Sequence, residues 1–305
     1  MKKRDANNSL NRRDFIKIMA AVTAGTPTLL SAAYADKIGT EKTDEPIAMP
    51  SIKLGRTNFT SSRLVFGCGA ALMGGRSDRL LERAFEAGIN HFDIGSDIYY
   101  KAKHAAEYWT GLMENSLEDL QTEYVDAYYL MGVEDPALIQ VEELYNAFQK
   151  AKAAGKVRYF GFSAHKNTDK VLEAAIKTGW YDLAMIGITP AGWYNWDKKN
   201  MESGTPKLLQ LQNLLKKAKD AGIGLIGMKT VRFLASLWVG GKGNPKAFDG
   251  IYDKKFMASG LNPFQRAYAY VLHNGLDVVN ADMQNFKHLE ENIIAVTTAK
   301  KYFSS

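Results

Sequence analysis

Gly155-Lys156-Val157-Arg158-Tyr159-Phe160-Gly161-Phe162-Ser163 lies between two amphipathic runs, and its reading decides the fold. The run before it, Leu138–Ala154, places apolar residues at 138, 141, 144, 145 and 148 and stops at Gly155, the spacing of one helical face. The run after it, Thr168–Lys177, stops at Gly179 and leads into another apolar segment, Leu183–Ile188. Helix, glycine, strand, helix, glycine, strand is the signature of parallel strands joined by right-handed crossovers. Working outward, strand-like runs also stand at Val65–Gly69, Ile89–Ile94, Val125–Met131, Gly224–Met228 and Leu276–Val279. Helical runs at Ser77–Ala87, Leu208–Ala221, Asn262–His273 and Asn285–Lys301 separate or follow them. A small hairpin is expected where Ile52-Lys53-Leu54 and Ser62-Arg63-Leu64 flank Gly55-Arg56-Thr57-Asn58. Such a chain folds as a doubly wound sheet or as a closed barrel. No Gly-x-Gly-x-x-Gly follows the first strand, where Gly67-Cys68-Gly69 leads into a Met73-Gly74-Gly75 loop, and this favours the barrel. The barrel reading meets one discrepancy, because seven strands are found where a (β/α)8 barrel needs eight.

The first 35 residues read differently. Asn11-Arg12-Arg13-Asp14-Phe15-Ile16-Lys17 precedes a moderately apolar run that ends in Ala33-Tyr34-Ala35, a small-x-small cleavage pattern. The paired arginines resemble a twin-arginine export signal, with Asn11 where a Ser or Thr is usual. Thr, Gly25 and Pro27 interrupt the run, so it makes a poor membrane span. The implied organisation is a signal at 1–35, a solvated linker at 36–50 and a barrel domain at 51–305, with export to the periplasm by the twin-arginine translocase. Six basic and two acidic residues belong to the leader, and without them the net charge of +6 falls to +2. The remainder therefore makes no electrostatic case for nucleic acid. One cysteine, Cys68, excludes a disulfide framework, and it reads as a buried small apolar residue. Five scattered histidines give no metal-ligand spacing.

Several segments then become specific in order. Lys53-Leu54-Gly55-Arg56-Thr57 with Ser62-Arg63-Leu64-Val65-Phe66-Gly67 resembles the opening hairpin of the aldo/keto reductases. Ala87-Gly88-Ile89-Asn90-His91-Phe92-Asp93 resembles their second strand, Glu107 with Gly111-Leu112 the helix after it, and Ser116 to Asp126 the approach to strand four. Gly155–Ser163 resembles strand five, and Asn285 to Asn292 the last helix. The resemblance implies an α/β TIM-barrel fold and NADP- or NAD-dependent reduction of a small carbonyl substrate. It also implies a four-group site. A Tyr donates a proton to the developing alkoxide, a Lys paired with an Asp lowers the phenol's pKa, and a His orients the carbonyl oxygen. A phenol near pKa 10 needs such a cation to work at neutral pH.

By that resemblance Asp93 is the family Asp and Tyr99, in preference to Tyr100, the proton donor. The residues that should carry strand three and its Lys are missing between Met113 and Ser116, which agrees with the count of seven strands. Met131 stands where the His belongs, and a thioether cannot donate a hydrogen bond. His165 is the candidate replacement, and Lys101, Lys103 or Lys229 the candidate cation. Ser163, Lys229 and Asn292 are the expected cofactor-binding residues. Lys229 is placed there because barrel sites gather at strand C-termini. Asp282 and Gln284 replace a basic residue that would favour a 2′-phosphate. Trp193, Tyr194 and Trp196 line a ligand mouth or pack the rim, and residues 231–260 form a lid or a tolerated insertion. A non-catalytic ligand-binding protein on a degenerate barrel is the alternative. A third reading is a defective product whose open edges invite aggregation.

Overall fold

The computed structural model describes residues 48–71, 78–94, 104–237 and 241–303. The expected signal at 1–35 and most of the expected linker at 36–50 lie outside these residues. The hairpin opens the fold as β1 (Ser51–Lys53) and β2 (Thr60–Ser62), paired antiparallel. The seven expected strands follow as β3 (Leu64–Gly67), β4 (Phe92–Asp93), β5 (Val125–Leu130), β6 (Val157–Ala164), β7 (Leu183–Thr189), β10 (Gly224–Met228) and β11 (Val278–Asp282). An added hairpin, β8 (Gly192–Asn195) and β9 (Asn200–Met201), extends antiparallel from the end of β7. The seven strands form one parallel ladder in the order β4-β3-β11-β10-β7-β6-β5. β4 and β5, consecutive among the seven, stand at its two ends. Among the described residues no strand bridges them, so the sheet is an incomplete, abbreviated barrel open where the missing unit was expected.

Alternation along the strands builds two apolar layers. Inward-facing Val65, Leu183, Met185, Ile226, Met228 and Val278 pack with Leu54, Ala127, Tyr129 and Tyr159. The outward set, including Phe66, Phe160, Phe162, Ile186, Leu225 and Ala281, meets the helices. These are α1 (Cys68–Ala71), α2 (Asp78–Glu86), α3 (Ala105–Leu120), α4 (Pro136–Ile139), α5 (Glu142–Ala153), α6 (Thr168–Thr178), α7 (Leu208–Asp220), α8 (Lys254–Met257), α9 (Pro263–His273) and α10 (Phe286–Phe303). α3 makes the shortened crossover from β4 to β5. It is held by fully buried Trp109, whose indole meets Tyr128 and Phe160 edge-on at 5.6 Å each.

The hairpin closes the N-terminal end of the sheet. Leu54 is buried inside it, and Gly55, at φ 55°, presses its backbone against Gly222 and Gly224, where a Cβ would collide. Arg56 pairs with Asp182 at 2.6 Å while the other oxygen of Asp182 accepts the Phe160 amide at 3.0 Å. Arg63 donates to the carbonyls of Leu272, Leu276 and Asp277. The opposite, C-terminal end is left for a site.

Two elements differ from expectation. The strand expected over Ile89–Ile94 shrinks to Phe92–Asp93, because Asn90 exchanges hydrogen bonds with Ser62 and Thr60 and His91 shares one with Ser61, which ties them to the hairpin. The helix expected over Leu138–Ala154 breaks after Ile139, whose carbonyl accepts the Tyr181 hydroxyl at 3.1 Å. Asp135 caps the short first piece. In the segment expected over 231–260 as a lid or a tolerated insertion, the described residues beyond 240 pack against the body of the fold. Phe248, Tyr252 and Phe256 are buried against the outer helices, with Phe256 4.7 Å from the Phe303 ring.

Trp109→Ala would remove the main anchor of α3 and is expected to cost about 3–5 kcal/mol. The indole N–H has no hydrogen-bond partner among the described residues, so the loss is one of packing. Urea denaturation of the variant against the parent measures it. An unchanged midpoint would mean that α3 does not hold the open side of the sheet.

Candidate functional site

At the C-terminal end the inward-facing positions turn polar. β3 and β4 pair Gly67 with Asp93, and β11 and β3 pair Asp282 with Gly67, so Asp93, Gly67 and Asp282 share one layer. One layer below, Asn280 of β11 reaches past β3 and donates from Nδ2 to Asp93 Oδ2 at 2.7 Å. Gly67 leaves it room, since a Cβ there would stand 2.7 Å from Asn280 Oδ1. Burial pushes the Asp93 carboxyl above its ordinary range, against the Asn280 hydrogen bond and the positive field of Lys229. Tyr129 of β5 also faces inward, and its hydroxyl is buried with no hydrogen-bond partner among the described residues. Burial, then the nearby Asp93 charge, drives that phenol's pKa up, so it favours the neutral form.

On the other flank Ser163, at the end of β6, is fully buried. Its hydroxyl accepts the Gly132 amide at 2.8 Å and donates to Met131 Sδ at 3.7 Å. The thioether is a weak acceptor that a stronger one would displace. His165 leaves β6 two residues later, and its ring centroid lies 6.2 Å from that of Trp196, in the turn of the β8–β9 hairpin. Lys229, just past β10 at φ 61°, holds its ammonium 4.2 Å from the Trp196 ring centroid. Arg232 approaches the same ring at 5.2 Å and Lys199 at 2.9 Å. Exposed Asp282 sits in the field of Arg232, Lys229 and His288.

Of the expected residues, the structure gathers Asp93, Ser163, His165 and Lys229 at the strand exits. Asn292 is buried within α10, with no hydrogen bond to the mouth among the described residues. Tyr99, Tyr100, Lys101 and Lys103 lie outside the described residues. Trp193 and Tyr194 are buried in β8 and pack the rim, whereas half-buried Trp196 lines the mouth. Cys68 is buried, and burial together with Asp93 pushes its thiol up to about 12, so it is no nucleophile at neutral pH. Sequence reading missed Asn280, Tyr129, Lys199 and Arg232. Only Asn280 carried a signal, as the amide in an otherwise apolar Val278-Val279-Asn280-Ala281 run. An open groove of about 760 Å³ between α3 and α5 lies on the outer helical face, away from these groups. No group of three or more His, Cys, Asp or Glu among the described residues is placed to hold a metal, and no described helix is long and apolar enough to cross a membrane.

The model of the aldo/keto reductase family matches residues 100–302. The chain belongs to this family. It is 26% identical over 311 residues to a probable aldo-keto reductase 1 of Glycine max, covering 82% of this chain and 86% of that one. It is 36% identical over 98 residues to an uncharacterized oxidoreductase, YqkF, of Bacillus subtilis (strain 168), covering 32% of this chain and 29% of that one. Two solved structures of putative aldo-keto reductases from Pseudomonas aeruginosa superpose with TM-scores of 0.54 and 0.57 at 17% and 16% identity. Each covers 82% of this chain, and 95% and 94% of the respective neighbour. They share its fold.

A carboxyl whose pKa is raised on folding adds stability below its unfolded value, about 3.9, and loses it as pH rises through the folded value. Asp93→Asn, neutral throughout and still able to accept from Asn280, is therefore expected to raise the melting temperature at pH 7. The gain should vanish below pH 4. Melting curves from pH 3 to 8 test this, and a gain independent of pH would show that the carboxylate is not strained in the fold.

Proposed function

We propose that this member of the aldo/keto reductase family reduces a small carbonyl substrate with NAD(P)H at the C-terminal mouth of its abbreviated barrel. One observation carries the reading. Asp93, half-buried at a strand end and held by Asn280, lies in the field of Lys229, a cation brought from the exit of β10 in the middle of the ladder. The family's Asp–Lys relation is thereby supplied from β10's exit in place of a third strand. Tyr99, six residues past Asp93, is the proton donor in this reading, and His165 takes over the carbonyl-orienting role from Met131. The mouth suits a dinucleotide in its donor set, since Thr230 Oγ1 and Arg232 Nε are shielded from solvent and unpaired among the described residues. Ser163, Lys229 and Asn292 would hold the cofactor, which when bound supplies the hydride. The Ser163 hydroxyl would exchange its bond to the Met131 thioether for a carboxamide acceptor. Asp282 disfavours a 2′-phosphate, an effect that Arg232 and Lys229 offset.

The leader supports export of the folded chain by the twin-arginine translocase, which places the activity in the periplasm. One observation favours a second reading, a ligand-binding protein without turnover. Met131 and Ser163 occupy each other at the position where a hydrogen-bonding group should meet the carbonyl.

Titrating the full chain with NADH and NADPH against tryptophan fluorescence tests the proposal. Saturable quenching with at least one of them is expected, and Asp282→Asn should tighten NADPH more than NADH. A folded chain that binds neither would end the reductase reading and leave the second.

A further inference from the structure

The outer helical face carries a groove that the mouth does not use. It lies between α3 and α5 and holds about 760 Å³. Both helices return from the C-terminal to the N-terminal end of one parallel ladder, so they run side by side in the same direction. The floor is apolar, with Ala106 and Met113 from α3 and Ala147 and Ala151 from α5. Charge is divided along its length. Glu107 and Glu143, each in the first turn of its helix, stand exposed at the mouth-side end. His104 faces Glu107 at 3.7 Å, an exposed pair that contributes little. Lys150 stands in the last turn of α5, and Lys156, at the foot of β6, is held by Glu114.

The wider face is acidic as well. Between His104 and Gln149 the chain has ten acidic residues and no Lys or Arg. Lys156, Arg158 and Lys166 pair with three of the ten, Glu114, Asp126 and Glu134. Such a face attracts a basic segment and repels an acidic one. The same chain contains a basic segment with an apolar run behind it. Lys2, Lys3, Arg4, Arg12, Arg13 and Lys17 stand against Asp5 and Asp14, and Ile18-Met19-Ala20-Ala21-Val22 follows. This leader lies outside the described residues. The described chain begins at Ala48, and Met49 lies against Gly88, between α2 and the foot of β4. From there residues 36–47 reach about 40 Å when extended, several times the spacing of packed helices. A chain entering the groove from the foot presents its residues in the required order. The apolar run meets the floor first, and the paired arginines then reach the acidic end.

We infer that in the full chain the leader docks in the α3–α5 groove, with the run Phe15–Ala24 on the apolar floor and Arg12 and Arg13 at Glu107 and Glu143. The contact holds the export signal on the folded domain until a receptor competes for the arginines. It rests on the leader and the groove, and not on the reductase reading.

The test applies thermolysin, which cuts before large apolar residues, to the full chain at low ionic strength, with the fragments weighed by mass spectrometry. Cutting before Ile38, in the linker, is the reference. Cutting before Ile16, Ile18 and Met19 is expected to run about tenfold slower. Glu107→Lys with Glu143→Lys should remove that protection. Arg12→Glu with Arg13→Glu should remove it too, and the four changes together should restore it. A helix-capping role of the two glutamates alone would not be rescued by reversing charges in the leader. The arginine variant leaves residues 48–303 untouched, so it keeps the test valid if the glutamate variant fails to fold. Equal cutting at run and linker in the parent, protection that neither pair of changes removes, or no recovery in the fourfold variant would overturn the proposal. Protection that rises with protein concentration would place the leader on a second copy and overturn it as well.

Discussion

Holding the half-buried Asp93 carboxyl at the end of a two-residue edge strand sets the terms for the barrel's mouth. A carboxylate in that position is unfavourable unless donors and positive charge reach it. β3 offers it only the backbone of Gly67, so help has to come from beyond the neighbouring strand. Asn280 crosses over the bare Gly67 to donate a hydrogen bond, and Lys229 supplies the field. Replacing Gly67 by any residue with a side chain would push Asn280 away. This couples the geometry of β11 and the exit of β10 to a group on β4, and it draws the polar residues of the mouth toward the open side of the sheet.

The same open side explains the weight carried by α3. A closed barrel shares the burial of its outer layer among eight crossovers, whereas here one helix spans the passage from β4 to β5. Trp109 fills that passage against two aromatic rings, and Lys156 joins Glu114 across the helix–strand boundary. That ion pair is exposed and contributes little. The packing of Trp109, buried without a partner for its N–H among the described residues, is what ties the crossover down. At the other end the β1–β2 hairpin, with Leu54 inside and Arg63 on three carbonyls, seals the sheet, so that the candidate site is confined to one end.

In the proposed reading, the candidate site is a family arrangement with two of its parts supplied from new places. Met131 and Ser163 have closed on each other where a histidine would act, while His165 and Trp196 stand a few ångströms further along the rim. The cation near Asp93 comes from a turn at positive φ just after β10. On that reading each substitution would move a function along the mouth without moving the mouth, because strand ends present inward residues at a fixed period and several loops can reach the same volume.

By itself the sequence determined the seven parallel strands, their order of crossovers, the sealing hairpin and the gap after the second strand. These follow from local periodicity and from glycine stops, which depend on neighbours along the chain. It also marked Asp93, Ser163, His165 and Lys229, because motif position fixes which strand end a residue occupies. The break after Ile139, the shortening of β4 and the role of Asn280 were decided only by the tertiary structure. In each case the partner is distant in sequence: Tyr181 for Ile139, the hairpin for Asn90 and His91, and Asp93 for Asn280. The convergence of Lys199, Lys229 and Arg232 on Trp196 was likewise invisible in the sequence, since no periodicity relates a hairpin turn to the exit of a strand some thirty residues on. Only the closing of β7 against β10 brings those two turns to one ring.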